Sequence, residues 1–421
     1  VKKIIFLLCI FAAAAVDAAP YTILNAEQYH ETVQASRNKI TKILADLKSK
    51  PHLDANAQMA FIISELSDIP YIHQNGMGEG DWQPASNTYL PGAIHTRQNP
   101  VYRLDGLNCQ TLVQVAMALY HSRQLSQFDK NYLNIAYGAM GNPQGEIVHY
   151  YNRNNFIDAD FNPVNERNGW LVDVTSTSPY AKNIHASITR KKWFMQQRYQ
   201  PMENIQVLSA SSGPLMLERY KTVYGSLNQP NFIRQEIVMS YIPKETLVLQ
   251  QEDDSYTPNQ ALLDKIPTPA IAEIVRDPAS WQDYGIKVKD IIGSELTVSH
   301  LGILYRQTFK RDELIYRKIS CSADAGHSCE VTPIFCQKKF CRELMFAHAT
   351  NAYHQHDYWY QAADGHYVCS PKKPVIPTRY TTCNRVVSLP FYDYLTDYQS
   401  GYYTNMDVRS ILGVHVEKLK R

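Results

Sequence analysis

The chain has 421 residues, 44% hydrophobic and 19% charged, which suits a folded globular protein and excludes a disordered or fibrous one. A formal net charge of +2 leaves no basic excess to neutralise phosphates, so nucleic acid is not an expected partner. The 29 tyrosines suit sheet and core packing better than a surface of stacking rings.

Residues 1–18 read as a secretory signal. Lys2 and Lys3 form a charged start. Ile4 to Val16 is an apolar run shorter than the roughly 20 residues that span a bilayer, and Val16-Asp17-Ala18 offers small residues for cleavage. Cys9 leaves with this segment. No second run is long enough to span, so an exported protein without a transmembrane segment is expected. Residues 19–421 show neither an internal repeat nor a low-complexity linker and are expected to form one elaborated domain.

Asn25 to Lys50 reads as an amphipathic helix with Ile40, Ile43, Leu44 and Leu47 on one stripe, and a second helix begins near Asp54. The Gly-rich loop around Gly76 to Gly80 is no dinucleotide fingerprint, because no strand precedes it and no helix follows at the required spacing. Gln110 to Ser122 is helical, with Leu112, Val115, Ala116 and Leu119 on one face. From residue 131 the character changes to short runs rich in β-branched and aromatic residues. "YLNIAYG", "EIVHYYN", "GWLVDVTS", "IPKETLVL", "IKVKDIIGSEL", "VSHLGILYRQ" and "ELMFAHATN" all read as strands. Helices followed by strands predict an α+β fold. Residues 306–343 look like a Cys-rich insertion, and residues 351–421 like a Tyr-rich C-terminal extension.

Seven cysteines follow the signal, and six of them (Cys321, Cys329, Cys336, Cys341, Cys369, Cys383) cluster late in the chain. In an oxidising compartment six cysteines make three disulfides whose connectivity the sequence leaves open; short loops favour 321–329, 336–341 and 369–383. A zinc site using His327, His354 and His356 is the weaker reading, since no C-x-x-C is present. Cys109 is left over, either as a buried small hydrophobe or as a reactive thiol. It stands at the start of a helix, where the dipole and unpaired N–H groups are expected to lower a thiol pKa and to receive an oxyanion. A nucleophilic thiol needs a histidine base. His300 and His348 lie in two strand-like runs, and adjacent antiparallel strands would bring their imidazoles together.

Five stretches in order, "IPYIHQNGMGEG" (69–80), "YRLDGLNCQTLVQVAMAL" (102–119), "RNNFIDADFNPVNERNGWLVDVT" (153–175), "SHLGILY" (299–305) and "FAHAT" (346–350), resemble the N-acetylmuramoyl-L-alanine amidase-like branch of the NlpC-type papain-like cysteine peptidases. The resemblance implies a papain-like α+β fold, with the nucleophile helix packed on an antiparallel sheet or half-barrel. It also implies a catalytic Cys109, His300 and His348 and a Tyr71 beside the nucleophile. The substrate would be peptidoglycan or its muropeptide fragments, met by a bacterial enzyme in the periplasm or outside the cell.

In this reading His300 holds the Cys109 thiolate as an ion pair and then protonates the leaving amine, while His348 orients it. Glu79 is expected to take a peptide amine or a sugar hydroxyl, and Arg103 and Arg153 to clamp substrate carboxylates. Asp160 and Asn165 are expected to line the groove, and Asp105 to join the binding loop or pair with Arg103. No metal or organic cofactor is required. Asn108 replaces an acidic residue found before the nucleophile in many NlpC-type peptidases, which favours the amidase reaction over a γ-D-glutamyl-diaminopimelate endopeptidase. Acyl transfer and a non-catalytic wall-binding or host-interacting protein are the remaining readings. Oligomeric state is not legible.

Overall fold

The structure, a computed structural model, describes residues 26–67, 69–71, 82–83, 88–89, 104–137, 154, 156–189, 234–253, 255–283, 286–321, 329–350, 358–361, 367–370, 381–382, 385–396 and 410–420. The signal segment, Glu79, Arg103, Arg153, "EIVHYYN" and the three histidines of the zinc reading lie outside the described residues.

Helices come first. Helix α1 (Ala26–Lys48) buries Ile40, Ile43, Leu44 and Leu47, the expected stripe. Helix α2 (Ala55–Leu66) starts at Asp54, whose carboxylate accepts the Ala57 N–H at 2.8 Å. Helix α3 (Cys109–Tyr120) is buried at every position from Gln110 to Tyr120. It is therefore the central helix, and burial of each large apolar side chain contributes about 1.5–3 kcal/mol. Helix α4 (Leu125–Tyr137) corrects the expected strand "YLNIAYG". Its aromatic and β-branched residues suggest a strand, but Phe128, Asn131, Tyr132, Ile135 and Ala136 fall on one helical face and all are buried.

An eight-stranded antiparallel sheet supports these helices. Its strands are β1 (Leu171–Asp173), β2 (Lys182–Ile188), β3 (Gln235–Pro243), β4 (Ala270–Arg276), β5 (Val298–Lys310), β6 (Phe340–Thr350), β7 (Arg385–Pro390) and β8 (Ile411–Leu419). Their order is β7-β6-β5-β4-β8-β3-β2, with β1 pairing β8. Alternation divides the two faces. Ile271, Leu301, Ile303, Met345 and Ala347 pack under α1 to α4. Ala272, Ile274, Leu304, Phe346 and Val414 face the other way, against Phe391, Tyr394 and Leu395 of helix α5 (Phe391–Thr396).

Several sequence expectations change here. "IKVKDIIGSEL" is two strand residues followed by a helical turn, Val288–Ile292, ended by Gly293 in the left-handed region at φ 75°. "IPKETLVL" is broken by a helical turn at Lys244–Leu247. The C-terminal region is no peripheral extension: β8 lies inside the large sheet, hydrogen-bonded to both β4 and β3. The Cys-rich insertion and part of the Tyr-rich region combine in a second, five-stranded sheet, where residues 314–321 pair with 329–335 and these with 367–370. The sulfurs of Cys336 and Cys341 lie within bonding distance, with Cα atoms 5.7 Å apart. In the other two expected pairs, Cys321 and Cys329 face each other in backbone register, while Cys383 is outside the described residues. Among the described residues, no helix is long and apolar enough to cross a membrane.

Candidate functional site

The N-terminus of α3 is fixed before its chemistry begins. Asn108 is extended and accepts the Thr111 N–H at 2.8 Å, while Thr111 Oγ1 accepts the Asn108 N–H at 2.8 Å. This reciprocal capping box fixes the entry angle of the helix. It also gives Asn108, which is 9% exposed, a structural task. Its amide turns to the helix and not to a substrate, so the expected preference for the amidase reaction loses that support.

Cys109 is the first residue of the helix, half-buried and a free thiol. The ladder between β5 and β6 ends at Ile303 opposite Ala347, short of His300. Beyond that point the Leu301 N–H is available, and it is aimed at the Cys109 sulfur along with the N–H groups of Gln110 and of Cys109 itself. These donors favour a thiolate. Burial outweighs them and pushes the thiol up to about 11. The lowered pKa expected from the helix terminus is therefore not found, because the sulfur is shielded from water.

His300 and His348 meet past the end of that ladder. His300 Nε2 and His348 Nδ1 lie 2.9 Å apart with ring planes at 90°. His348 is wholly buried on β6, and His300 keeps part of its surface open. Burial, then the Arg276 guanidinium, takes His300 down to about 3. Burial, then His300, holds His348 well below the ordinary imidazole value. The shifts, upward for the thiol and downward for both imidazoles, run against the expected thiolate–imidazolium pair.

Gly302 shows why this corner tolerates no side chain. A Cβ there would collide with the Ala347 carbonyl and come 2.6 Å from the Phe346 ring. The close approach sets the spacing of β5 and β6, and hence of the two histidines they carry.

Two aromatic residues complete the cluster. Tyr71 lies in a segment whose Pro70 carbonyl accepts the Leu107 N–H at 2.9 Å, just before α3. Tyr394 of α5 stacks on His300, with centroids 6.2 Å apart and planes at 17°, and meets His348 edge-on at 5.1 Å. Both phenols are raised above their ordinary range by burial, and the Cys109 charge adds to the shift in each. Cys109, His300, His348, Tyr71 and Tyr394 thus converge. Sequence reasoning missed Tyr394 and Arg276, which carry no local motif. Arg276 is 2% exposed and bonds Ser299 Oγ at 2.9 Å, beside His300.

The expected groove residues divide. Asp105 is exposed just before α3. Asp160 accepts the Phe156 N–H at 3.1 Å and closes the π-helical turn Ile157–Phe161. Asn165 is wholly buried and donates to the carbonyls of Ile135 and Phe161 at 3.1 and 2.8 Å. It ties this turn to α4 and does not line a groove.

The family model described as N-acetylmuramoyl-L-alanine amidase-like matches residues 83–333, a span that contains Cys109 and His300 and ends before His348. Among solved structures, a crystal structure of a Legionella pneumophila str. Philadelphia 1 protein, carrying the family-model DUF1460, aligns with a TM-score of 0.58 at 19% identity. The alignment covers 93% of this chain and 97% of that one, so the likeness of fold runs through the second sheet and the C-terminal strand. No curated protein matches.

Proposed function

The chain belongs to the N-acetylmuramoyl-L-alanine amidase-like family, and from that premise we propose that it is an exported bacterial cysteine amidase, active in the periplasm or outside the cell on peptidoglycan or its muropeptide fragments. The preferred bond joins muramic acid to L-alanine. Cys109, His300 and His348 form its catalytic set on a papain-like, NlpC-type arrangement of nucleophile helix and antiparallel sheet. The observation that carries the reading is the 2.9 Å contact of His300 with His348, beside a strand whose next N–H is aimed at Cys109.

The chemistry follows from the neutral resting state. His300 presents Nε2 to His348, which leaves Nδ1 as its base. That role requires Nε2–H to donate to His348 Nδ1, and the depressed pKa of His348 keeps Nδ1 an acceptor. As Cys109 attacks the amide carbonyl, its proton passes to His300 Nδ1 and a C–S bond forms. The N–H groups around the sulfur receive the oxyanion. The carbon–nitrogen bond then breaks as His300 returns the proton to the leaving amine. Arg276 disfavours the imidazolium and so makes His300 a stronger acid at this step. Water, deprotonated by His300, releases the acyl group. Tyr394 holds the His300 ring in plane through both steps.

Digestion of purified muropeptides by wild-type and Cys109→Ala protein tests the reading. Wild type should release free peptide and muramyl sugar, and the variant nothing. Release of L-Ala-D-Glu would assign the endopeptidase reaction. Equal products from both proteins, or none from wild type, would remove the cysteine hydrolase.

A further inference from the structure

A second cluster of functional groups lies on the other face of the same strands. Glu273 of β4 sits opposite Leu301 in register, one residue out of step with His300, and therefore points to the helix side. His415 of β8 is its direct partner across the sheet. Glu417 follows on the same face of β8, opposite Asp173 of β1. Glu273 and Glu417 are 0% exposed and His415 is 5% exposed. The Asp173 side chain, at 23%, forms the open edge.

The hydrogen bonds orient these groups inward. His415 Nδ1 faces the Ser240 carbonyl at 2.7 Å, so it carries a proton and donates it. His415 Nε2 then points at Glu417 Oε1, 2.9 Å away, with Asp173 Oδ1 at 3.9 Å. Between these two atoms lies a proton on Nε2 or, in its place, a metal ion. A histidine whose far nitrogen donates to a main-chain carbonyl is the usual arrangement of a metal-bound imidazole. Among the described residues two further oxygens have no partner: Glu417 Oε2, and Glu273 Oε1, whose fellow Oε2 accepts from Asn162 at 2.9 Å. Orphaned carboxylate oxygens in a dry site are strongly unfavourable.

We propose that Asp173, His415 and Glu417, with Glu273 behind them, form a structural site for one divalent first-row cation of the Mn²⁺ or Zn²⁺ class. The candidate ligand atoms of Asp173, His415 and Glu417 all lie within 4.8 Å of one another. Adjacent ligands about 2.1 Å from an octahedral ion lie about 3.0 Å apart, and opposite ones about 4.2 Å; the contacts at 2.9 and 3.9 Å are close to these two spacings. One imidazole with several carboxylates suits a borderline cation better than a soft one. The ion would staple the C-terminal strand to β1 and β4, joining residues more than 200 positions apart in sequence. Sequence spacing could not reveal it for that reason.

The test uses the full chain, stripped with EDTA and titrated with MnCl₂, for which a cysteine such as Cys109 is a poor ligand. Calorimetry should show one equivalent bound, and the melting temperature should rise by about 5 °C at saturating Mn²⁺. Glu417→Gln should lose both effects. Absence of binding by wild type at millimolar Mn²⁺, or equal binding by Glu417→Gln, overturns the proposal. Should Glu417→Gln not fold, X-ray absorption of the Zn²⁺-loaded wild type decides. One imidazole nitrogen with carboxylate oxygens is expected, and a shell containing sulfur or several imidazoles overturns it. None of these readouts depends on hydrolysis.

Discussion

His300, half-buried, and His415, buried, sit two strands apart in one sheet and meet opposite fates. On the α5 side, His300 faces an imidazole and a guanidinium, and burial with Arg276 takes it down to about 3. On the helix side, burial also pulls His415 down, but Glu417, Glu273 and Asp173 together carry it up to about 9. Burial sets how strongly a neighbour is felt, and the neighbour's sign decides the outcome. The same strands thereby hold a neutral base on one face and a cationic centre on the other, because successive residues alternate.

The sharpest way to break the comparison is to remove the neutral pair's members. Cys109→Ala should lower turnover of muropeptides by about 10⁴-fold or more while leaving the melting temperature within a few degrees. His300→Ala and His348→Ala should each cost about 10²–10⁴-fold in kcat. A loss for His348 confined to KM would deny it the orienting role.

Gly302→Ala tests the geometry beneath them. The added methyl must push the Phe346 ring and the β6 backbone aside, so about 1–3 kcal/mol of stability should be lost. Activity should fall with it, as His300 and His348 separate. A variant of full activity would show that their 2.9 Å contact is not needed.

The state of the thiol is read by alkylation. With Cys109 at about 11, its rate with iodoacetamide should climb about tenfold per pH unit through the neutral range. A plateau from mildly acid pH would instead report an ion pair. Stability gives the matching sign for the histidine. Unfolded His300 takes a proton below about pH 6.5, which the folded state refuses until about 3. The contribution of His300 is therefore complete above that range and is lost as pH falls from about 6.5 toward 3. An acid titration of the melting temperature that is unchanged in His300→Gln would contradict this.

The smallest effect belongs to the cap. Asn108→Ala should cost about 1 kcal/mol, while Asn108→Asp keeps the cap and should leave both stability and product identity unchanged. A switch of the cleaved bond in Asn108→Asp would restore the substrate-facing role that the structure withdraws from this residue.

Much of this was legible in the sequence where side-chain period and packing agree. The stripes of α1 and α3 and the apolar runs of β5 and β6 are such places, and the Cys109, His300 and His348 motifs lie on or beside them. Helix α4 was misread because Tyr132 and Ile135 favour a strand locally, while the contacts that settle it come from α3. Strand β8 escaped notice because His415 and Glu417 interrupt its apolar run, and their reason for being buried is each other and residues far away in the chain. Arg276 and Tyr394 were invisible for the same reason: only the folded sheet brings them to His300.

The central claim is that Cys109 forms a thioester with the acyl side of the scissile amide. Rapid acid quench of wild-type protein with muropeptide, followed by intact-protein and peptide mass measurement, tests it most directly. The account predicts a muramyl-acyl adduct on the peptide containing Cys109. A dipeptide adduct there would move the cleavage to the γ-D-glutamyl bond. Turnover without any adduct on Cys109, persisting in Cys109→Ala, would contradict the account.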